Sequence, residues 1–316
     1  MTTLRIATRG SALALWQAEH VRDRLRALDA ELRVELLVLK TRGDKIVDRA
    51  LSEVGGKGLF VKEIEEAVLD GRADLAVHSM KDLPADVPAE LVIAAVPERE
   101  DARDALVVAP SSSARGVDSL QPGARVGTSS LRRVCQLRAR RPDLVLVPLR
   151  GNVDTRVRKL DAGELDAIVL ACAGLKRLGH AERITAALSA EESLPAIGQG
   201  ALAIECRAAD SETRARLAAL DHRATALAVA AERGFLARLE GDCKTPLAAH
   251  ATLEGERLTI HGLVGATDGS ELLRERLEGV AANGPMLGRL LAEKLLERGA
   301  DRLLAKNRAA DPVGGA

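Results

Sequence analysis

Short apolar runs alternate with segments of helical periodicity over the first two thirds of the chain, and this alternation sets the first expectation for the fold. Leu4–Ala7 predicts a strand, and Ser11 to about Leu28 predicts a helix with Ser11 placed to cap it. Val34–Leu39 predicts a second strand. Thr41–Gly58 is polar and punctuated by Gly43, Gly55, Gly56 and Gly58, so it reads as a loop. Phe60, Ile64, Ala67 and Val68 fall at i, i+4, i+7 and i+8 and make Leu59–Asp70 helical. Leu75–His78 and Leu91–Val96 are short buried strands. Strands alternating with helices imply βαβ units and a largely parallel sheet.

The pattern then restarts. Ala105–Ala109, Arg125–Gly127, Leu144–Pro148 and Ala167–Ala171 predict strands, with helices over Ser130–Arg140 and Val153–Ala162. Another apolar run, Ala201–Cys206, follows, then a helix from about Ser211 and a strongly helical Asp221–Leu239. The last third changes character. Ala248–Leu253, Leu258–Val264 and Leu272–Leu277 are joined by Glu254-Gly255-Glu256 and Asp268-Gly269, which are hairpin signals, before a final amphipathic helix from about Met286 to Arg298. The expectation is α/β in the first two thirds and a small α+β domain of antiparallel strands at the end.

Composition narrows the function. A length of 316 residues suggests two or three domains, and 47% hydrophobic residues suffice for a sizeable core. Lys plus Arg and Asp plus Glu number 46 each, which argues against a protein that coats nucleic acid, although a local basic cleft stays open. Trp16, Phe60 and Phe235 are the only aromatics apart from histidine, too few for a base-stacking platform. No apolar run approaches the roughly 20 residues of a membrane helix. Met1–Arg9 has no signal-peptide pattern, so a cytoplasmic location is expected. The four cysteines, 135, 172, 206 and 243, form no CxxC pair, and no metal site is expected.

The chemistry is carried by the strand-to-helix junctions. Nucleotide, zinc-protease and serine-hydrolase motifs are missing. Instead, cations and hydroxyls recur at these junctions: Thr8-Arg9-Gly10-Ser11, Lys40-Thr41-Arg42-Gly43-Asp44-Lys45, His78-Ser79-Met80-Lys81-Asp82, Gly127-Thr128-Ser129-Ser130-Leu131-Arg132-Arg133, Arg150-Gly151-Asn152 and Lys176-Arg177. In open α/β sheets ligands bind beyond the carboxyl ends of the strands, where helix N-termini and Arg favour anions. Any one Ser or Asn there is as a rule only an N-cap; the repetition points to a multiply anionic ligand. Arg138 and Arg140 read as a solvated helix face. Asp82 reads equally as an ion-pair partner of Lys81 or as a functional acid among cations. Cys135, Cys172 and Cys206 lie in apolar or helical runs and read as packing residues. Cys243 stands in the loop Glu240-Gly241-Asp242-Cys243-Lys244-Thr245-Pro246, where Lys244 favours a thiolate, and is evenly a functional or a structural thiol.

Several of these runs carry a resemblance. Leu4–Arg9, Val54–Phe60, Ala76–Pro84, Val126–Arg133, Leu149–Arg156, Ala173–Gly179 and Gly198-Gln199-Gly200 resemble the porphobilinogen deaminases, in order, from about Leu4 to Leu304. Gly10 stands where Gln is common in that family, and Asp242 where a second Gly is common.

The resemblance implies two α/β domains like those of periplasmic binding proteins and a small α+β domain. The expected boundaries are 1–98 with 199–218, then 99–198, then 219–316. It implies a transferase that joins four porphobilinogen molecules head to tail, releases ammonia, and uses a dipyrromethane cofactor thioether-linked to Cys243. Asp82 matches the catalytic carboxylate that holds pyrrole nitrogens and stabilises the azafulvene cation. Arg9, Ser11, Lys57, Lys81, Thr128, Ser129, Ser130, Arg132, Arg133, Arg150, Arg156 and Arg177 match positions that bind the acetate and propionate groups of cofactor and substrate. Gln199 matches a position near the cleft. A monomer whose partner is the small-molecule substrate, with no nucleic acid or membrane, is expected.

Overall fold

The computed structural model describes residues 3–41, 61–241 and 245–309. The glycine-punctuated loop, Lys57, Asp242 and Cys243 lie outside them. In chain order the elements begin with β1 (Thr3–Arg9), α1 (Ala12–Leu28), β2 (Arg33–Leu39), α2 (Lys62–Leu69), β3 (Leu75–Ser79) and β4 (Leu91–Ala95). There follow β5 (Asp104–Val108), β6 (Arg125–Gly127), α3 (Leu131–Arg140), β7 (Val145–Val147), α4 (Val153–Asp161), β8 (Ala167–Ala171), α5 (Cys172–Arg177) and β9 (Ala186–Ala187). The last are β10 (Leu202–Arg207), α6 (Ser211–Ala218), α7 (Arg223–Leu239), β11 (Leu247–Glu254), β12 (Arg257–Gly265), β13 (Leu272–Val280), α8 (Gly284–Glu297) and α9 (Ala300–Ala309).

Residues 1–100 and 201–227 make one compact unit. Its sheet runs β2-β1-β3-β10-β4. The sheet is covered on both faces, which is why its strands read as continuous apolar runs. Leu4, Ile6, Leu75, Val77, Leu202 and Ile204 pack on one face with Ala18, Val21 and Leu25 of α1, spaced i, i+3, i+7. Ala7 and Ala76 pack on the other with Ile64, Ala67 and Val68 of α2.

Residues 101–200 and 228–316 make the second unit, which holds two sheets. The first runs β7-β6-β8-β5-β9. One face buries Leu106, Val126 and Val169; the other buries Leu149, Leu160, Ile168 and Leu175. The second, β11-β12-β13, is the antiparallel meander of the C-terminal part, as its hairpin signals predicted. The chain is thus α/β with a small C-terminal α+β part.

Neither large sheet is as parallel as the alternation implied. β1 runs parallel to β2 and β3, and β6 to β7 and β8, but β10 is antiparallel to β3 and β4, and β5 to β8 and β9. Only a strand that follows a crossover helix is constrained to run parallel. β5 and β10 instead follow the passages of the chain from one unit to the other, and Met80 N donates to Ala201 O just before β10 begins. The periodicity also missed α5, which starts with no spacer after β8 so that both share one apolar run. It missed two-residue β9 and terminal α9 as well.

In the C-terminal part, α7 and α8 meet backbone to backbone. A methyl group on Gly288 would run into the carbonyl oxygen of Ala231, and one on Gly234 into that of Pro285. Because the obstacle is backbone, the helices must separate to admit it. Gly288→Ala is expected to lose about 1–3 kcal/mol of stability, read from the urea midpoint; an unchanged midpoint would show that the close approach carries no packing.

Candidate functional site

In the first unit, three of the expected residues come together. A pocket is lined by Arg9 at the end of β1, Ser11 at the start of α1, and Asp82, together with Gln17, His78 and Ser79. Local sequence fixes each of them. Ser11 holds extended backbone and its Oγ accepts from Ala14 N at 3.3 Å, so it is the cap of α1, and that helix carries no acidic residue in its first turn. Thr8, buried, donates to Ala14 O at 3.1 Å and ties β1 to the same turn. β3 ends at Ser79 and passes into a 3₁₀ turn, Met80–Asp82, anchored by the buried Met80 and closed by Leu83 N onto Met80 O. Gln17, only 2% exposed, donates to Ser79 Oγ at 2.8 Å and holds α1 to that turn. Lys81 sits in the turn but not in the pocket wall. Val61, Ile64, Val77 and Leu13 supply the apolar part of the lining.

In the second unit the expected residues divide into two groups. Arg132 and Arg133 are buried and turned onto Asp104, whose exposure is zero. Arg132 Nη1 and Nη2 donate to its two oxygens at 2.6 and 3.0 Å, and Arg133 Nη2 and Nε to Oδ1 at 2.7 and 3.0 Å. Ser193 Oγ and Gln199 Nε2 donate to the same carboxylate at 2.7 and 3.0 Å. The remaining donors go to backbone: Arg132 to Leu194 O, Arg133 to Val169 O, and Gln199 to Ala102 O. Gln199 is therefore a buried member of this network. Burial alone raises the carboxyl pKa of Asp104, but the charges of Arg132 and Arg133 outweigh it and hold the group far below the usual carboxylate range.

The other group centres on Arg156. Arg156 donates from Nε to Gly151 O at 2.8 Å, and among the described residues no carboxylate pairs with it. Burial pushes its guanidinium down to about 10, and Arg133 and Arg150 add to the depression. It stays charged at neutral pH, with Arg133 and Arg150 as like-charged neighbours. Gly151 makes the geometry available: its φ of 108° lies in the left-handed region, and a methyl there would strike Thr155. Asn152 caps α4 by accepting from Thr155 N at 2.9 Å. Nearby in sequence, Thr128 Oγ1 accepts from Ser130 N and Ser129 Oγ donates to Leu149 O, so these hydroxyls shape the turn before α3. Arg177 donates to Gly200 O at 2.7 Å. Arg138 and Arg140 do lie on an exposed helix face, Arg138 bonded to Thr267 O and Arg140 paired with Asp118.

Sequence reasoning passed over Asp104, Ser193, Gln17 and Glu205. Two of these carried a signal: Asp104 opens the apolar run at Ala105, and Glu205 interrupts the run Ala201–Cys206. A carboxylate inside a buried strand demands a partner, and the demand is legible in the sequence even when the partner is not. Ser193 and Gln17 carried none. Among the described residues no His, Cys, Asp and Glu group has metal-site geometry, and no helix is long and apolar enough to cross a membrane.

Comparison with known proteins gives a family. The family model described as porphobilinogen deaminase, dipyromethane cofactor binding domain, matches residues 4–215, and the one described as porphobilinogen deaminase, C-terminal domain, matches residues 226–297. Among solved structures, the chain is similar to the periplasmic VFT2 domain of BvgS from Bordetella pertussis, at 17% identity over 68% of this chain and 85% of that one, with a TM-score of 0.42. It is similar also to the second substrate binding domain of a putative amino acid ABC transporter from Streptococcus pneumoniae, at 14% identity over 69% and 91%, TM-score 0.44. A third is the periplasmic aliphatic sulphonate binding protein SsuA from Escherichia coli, at 14% identity over 76% and 71%, TM-score 0.41.

The Asp104 network makes its own prediction. Asp104→Asn leaves two buried guanidinium groups without a counter-charge and is expected to cost about 3–5 kcal/mol at neutral pH. Because the folded-state pKa is depressed, the stabilisation is complete above the unfolded carboxyl value of about 3.9 and fades only as pH falls towards the lower folded value. Urea denaturation of both proteins across pH should show a gap that persists to about pH 4. Equal stabilities at neutral pH would contradict it.

Proposed function

The chain belongs to the porphobilinogen deaminase family of tetrapyrrole biosynthesis, and from that premise we propose that it polymerises four porphobilinogen molecules head to tail, releasing ammonia at each step, to give the linear tetrapyrrole hydroxymethylbilane. Residues 4–215 are the region matched to the dipyrromethane cofactor binding domain. We propose Cys243 as the attachment point. The reading takes the chain as a cytoplasmic monomer organised as residues 1–98 with 199–218, 99–198 and 219–316.

The residues present suit the cofactor. Its acetate and propionate groups need cations, and Arg156, held down in pKa by burial and then by Arg133 and Arg150, supplies one with like-charged neighbours beside it. The cofactor supplies an anchored primer for the growing chain. Arg150, Arg156 and Arg177 hold carboxylate groups; Arg132, Arg133 and Gln199 are proposed to act with them from the Asp104 network. Thr128, Ser129 and Ser130 offer hydroxyls and amides at the start of α3. In the other unit, Arg9 and Ser11 take a substrate carboxylate, with Lys57 and Lys81 adding charge. Asp82 accepts the pyrrole N–H and stabilises the positive charge that develops as the amine departs. The observation that carries this reading is the pocket itself, in which one carboxylate, Asp82, stands with a cation and a capping hydroxyl. The other thiols support the choice of Cys243: burial pushes Cys135 up to about 12 and Cys172 and Cys206 up to about 11, which makes them poor nucleophiles.

Intact mass tests the assignment. The purified protein should be heavier than its sequence by two pyrrole units, and denaturation should not remove them, since the thioether is a carbon–sulfur bond. Cys243→Ser should lack the added mass, while Cys135→Ala, Cys172→Ala and Cys206→Ala should keep it. An unmodified mass in active protein would refute the attachment, and an unmodified, inactive protein would favour a binding protein without chemistry.

Asp82→Asn keeps the shape and removes the charge. It should retain the added mass and its melting temperature, yet turn over on the order of 100- to 1,000-fold more slowly. Near-normal turnover would return Asp82 to an ion-pair role.

A further inference from the structure

Behind the pocket wall stands a buried pair that the reaction described so far does not use. His78 lines the pocket with Asp82, and it is only 6% exposed. Its Nε2 lies 3.3 Å from Oε2 of Glu205, a carboxylate with no exposure at all. The register explains the approach. In the antiparallel β3–β10 ladder His78 stands opposite Ala203 and Glu205 opposite Ala76. Directly opposed residues share a face, so all four project to the α2 side of the sheet, and the two alanines leave room for a diagonal His–Glu contact. Neither Glu205 oxygen nor His78 Nε2 completes a well-aligned hydrogen bond, though each is fully buried. A buried carboxylate is tolerated only against a partner that can carry charge, and imidazole is the nearest. The charge of Glu205 is felt beyond the pair: burial first, then Glu205, raises the carboxyl pKa of Glu65 on α2.

We propose that His78 is the base that removes the ring proton in each elongation cycle, with Glu205 as the positioning residue that orients its ring and stabilises the imidazolium. This rests on the functional reading above. The chemistry balances as follows. The incoming unit loses its amine as ammonia, which keeps the C–N electron pair. A ring carbon of the acceptor pyrrole forms the new C–C bond, and its C–H bond then breaks, the electron pair returning to the ring to restore aromaticity. The proton passes to Nδ1 of neutral His78, and from there to the ammonia or to water. The Glu205 carboxylate, 3.3 Å from Nε2, favours the proton on that nitrogen, which leaves Nδ1 as the lone-pair atom. The division of labour is that of a carboxylate-supported histidine base. Asp82 faces the cationic intermediate and His78 the ring proton, so the two tasks fall on different groups. Among the described residues, the charged groups that share the pocket or the pair are Glu205 from β10, Glu65 from α2, Arg9 from β1 and Asp82 from the turn.

Two measurements test it. First, ¹⁵N resonances of the His78 ring, taken on the protein without substrate, should show a protonated Nε2 and an unprotonated Nδ1. In Glu205→Gln the preference should weaken, because an amide can donate as well as accept. A proton on Nδ1 in the unaltered protein would overturn the proposal whatever the variants do. Second, porphobilinogen carrying deuterium on its free ring α-carbon should turn over with a larger isotope effect in Glu205→Gln and His78→Asn than in the unaltered protein, alongside a rate loss on the order of 100-fold. Slower turnover with an unchanged isotope effect would mark the pair as structural and sink the proposal. Failure of the unaltered protein to consume porphobilinogen would instead sink the functional reading, and this inference with it.

Discussion

Two guanidinium groups share one carboxylate in the second unit, and that imbalance governs how its functional end is built. Asp104 has no exposure, and Arg132 and Arg133 both fork onto it. An ion pair in the interior is stable only when its remaining donors are satisfied. Here the carbonyls of Leu194 and Val169 accept from the arginines, while Ser193 and Gln199 donate to the carboxylate itself. The network therefore fixes the start of α3, the start of β5 and the segment of Ser193–Gln199 relative to one another. It also leaves one positive charge in excess. That excess lies within electrostatic reach of Arg156, whose guanidinium is lowered by burial and then by Arg133 and Arg150.

The strands and most helices of the fold were legible because burial writes itself into periodicity. Leu75–His78 and Ala167–Ala171 read as short continuous apolar runs because both faces of each sheet are covered. Strand direction was not legible. Nothing in Ala105–Ala109 or Ala201–Cys206 distinguishes a strand that follows a crossover helix from one that enters after the chain has left the other unit. The antiparallel insertion of β5 and β10 is a property of connectivity over long separations. α5 was invisible for a different reason: Cys172 and Ala173 continue the apolar run of β8 with no polar or glycine residue at the junction.

The candidate site was legible where one residue type does one thing. Ser11 reads as a cap and is a cap; Arg9 and Asp82 read as a cation and an acid at strand ends and share a pocket. It was less legible where residues act on one another. Arg132 and Arg133 look the same in sequence as Arg150 and Arg156, yet the first two direct their donors at Asp104 while Arg156 donates to the Gly151 carbonyl and, among the described residues, pairs with no carboxylate. Which arginine faces a carboxylate is decided by β5 lying beside β8, and that pairing joins residues far apart in sequence, such as Asp104 and Ala171.

The same architecture recurs with a different electrical outcome. In both large sheets the fourth strand is the antiparallel one, and in both it carries a carboxylate of zero exposure, Asp104 on β5 and Glu205 on β10. Each stands beside the strand whose end leads into a cation-bearing segment, β8 into Lys176 and Arg177, and β3 into Lys81. Asp104 meets two groups whose charge is permanent, so its own charge is fixed and the surroundings are locked. Glu205 meets a histidine, the one side chain whose charge changes near neutral pH. The two buried carboxylates thus differ in whether the partner's charge is permanent, and that difference is no larger than the identity of the partner side chain.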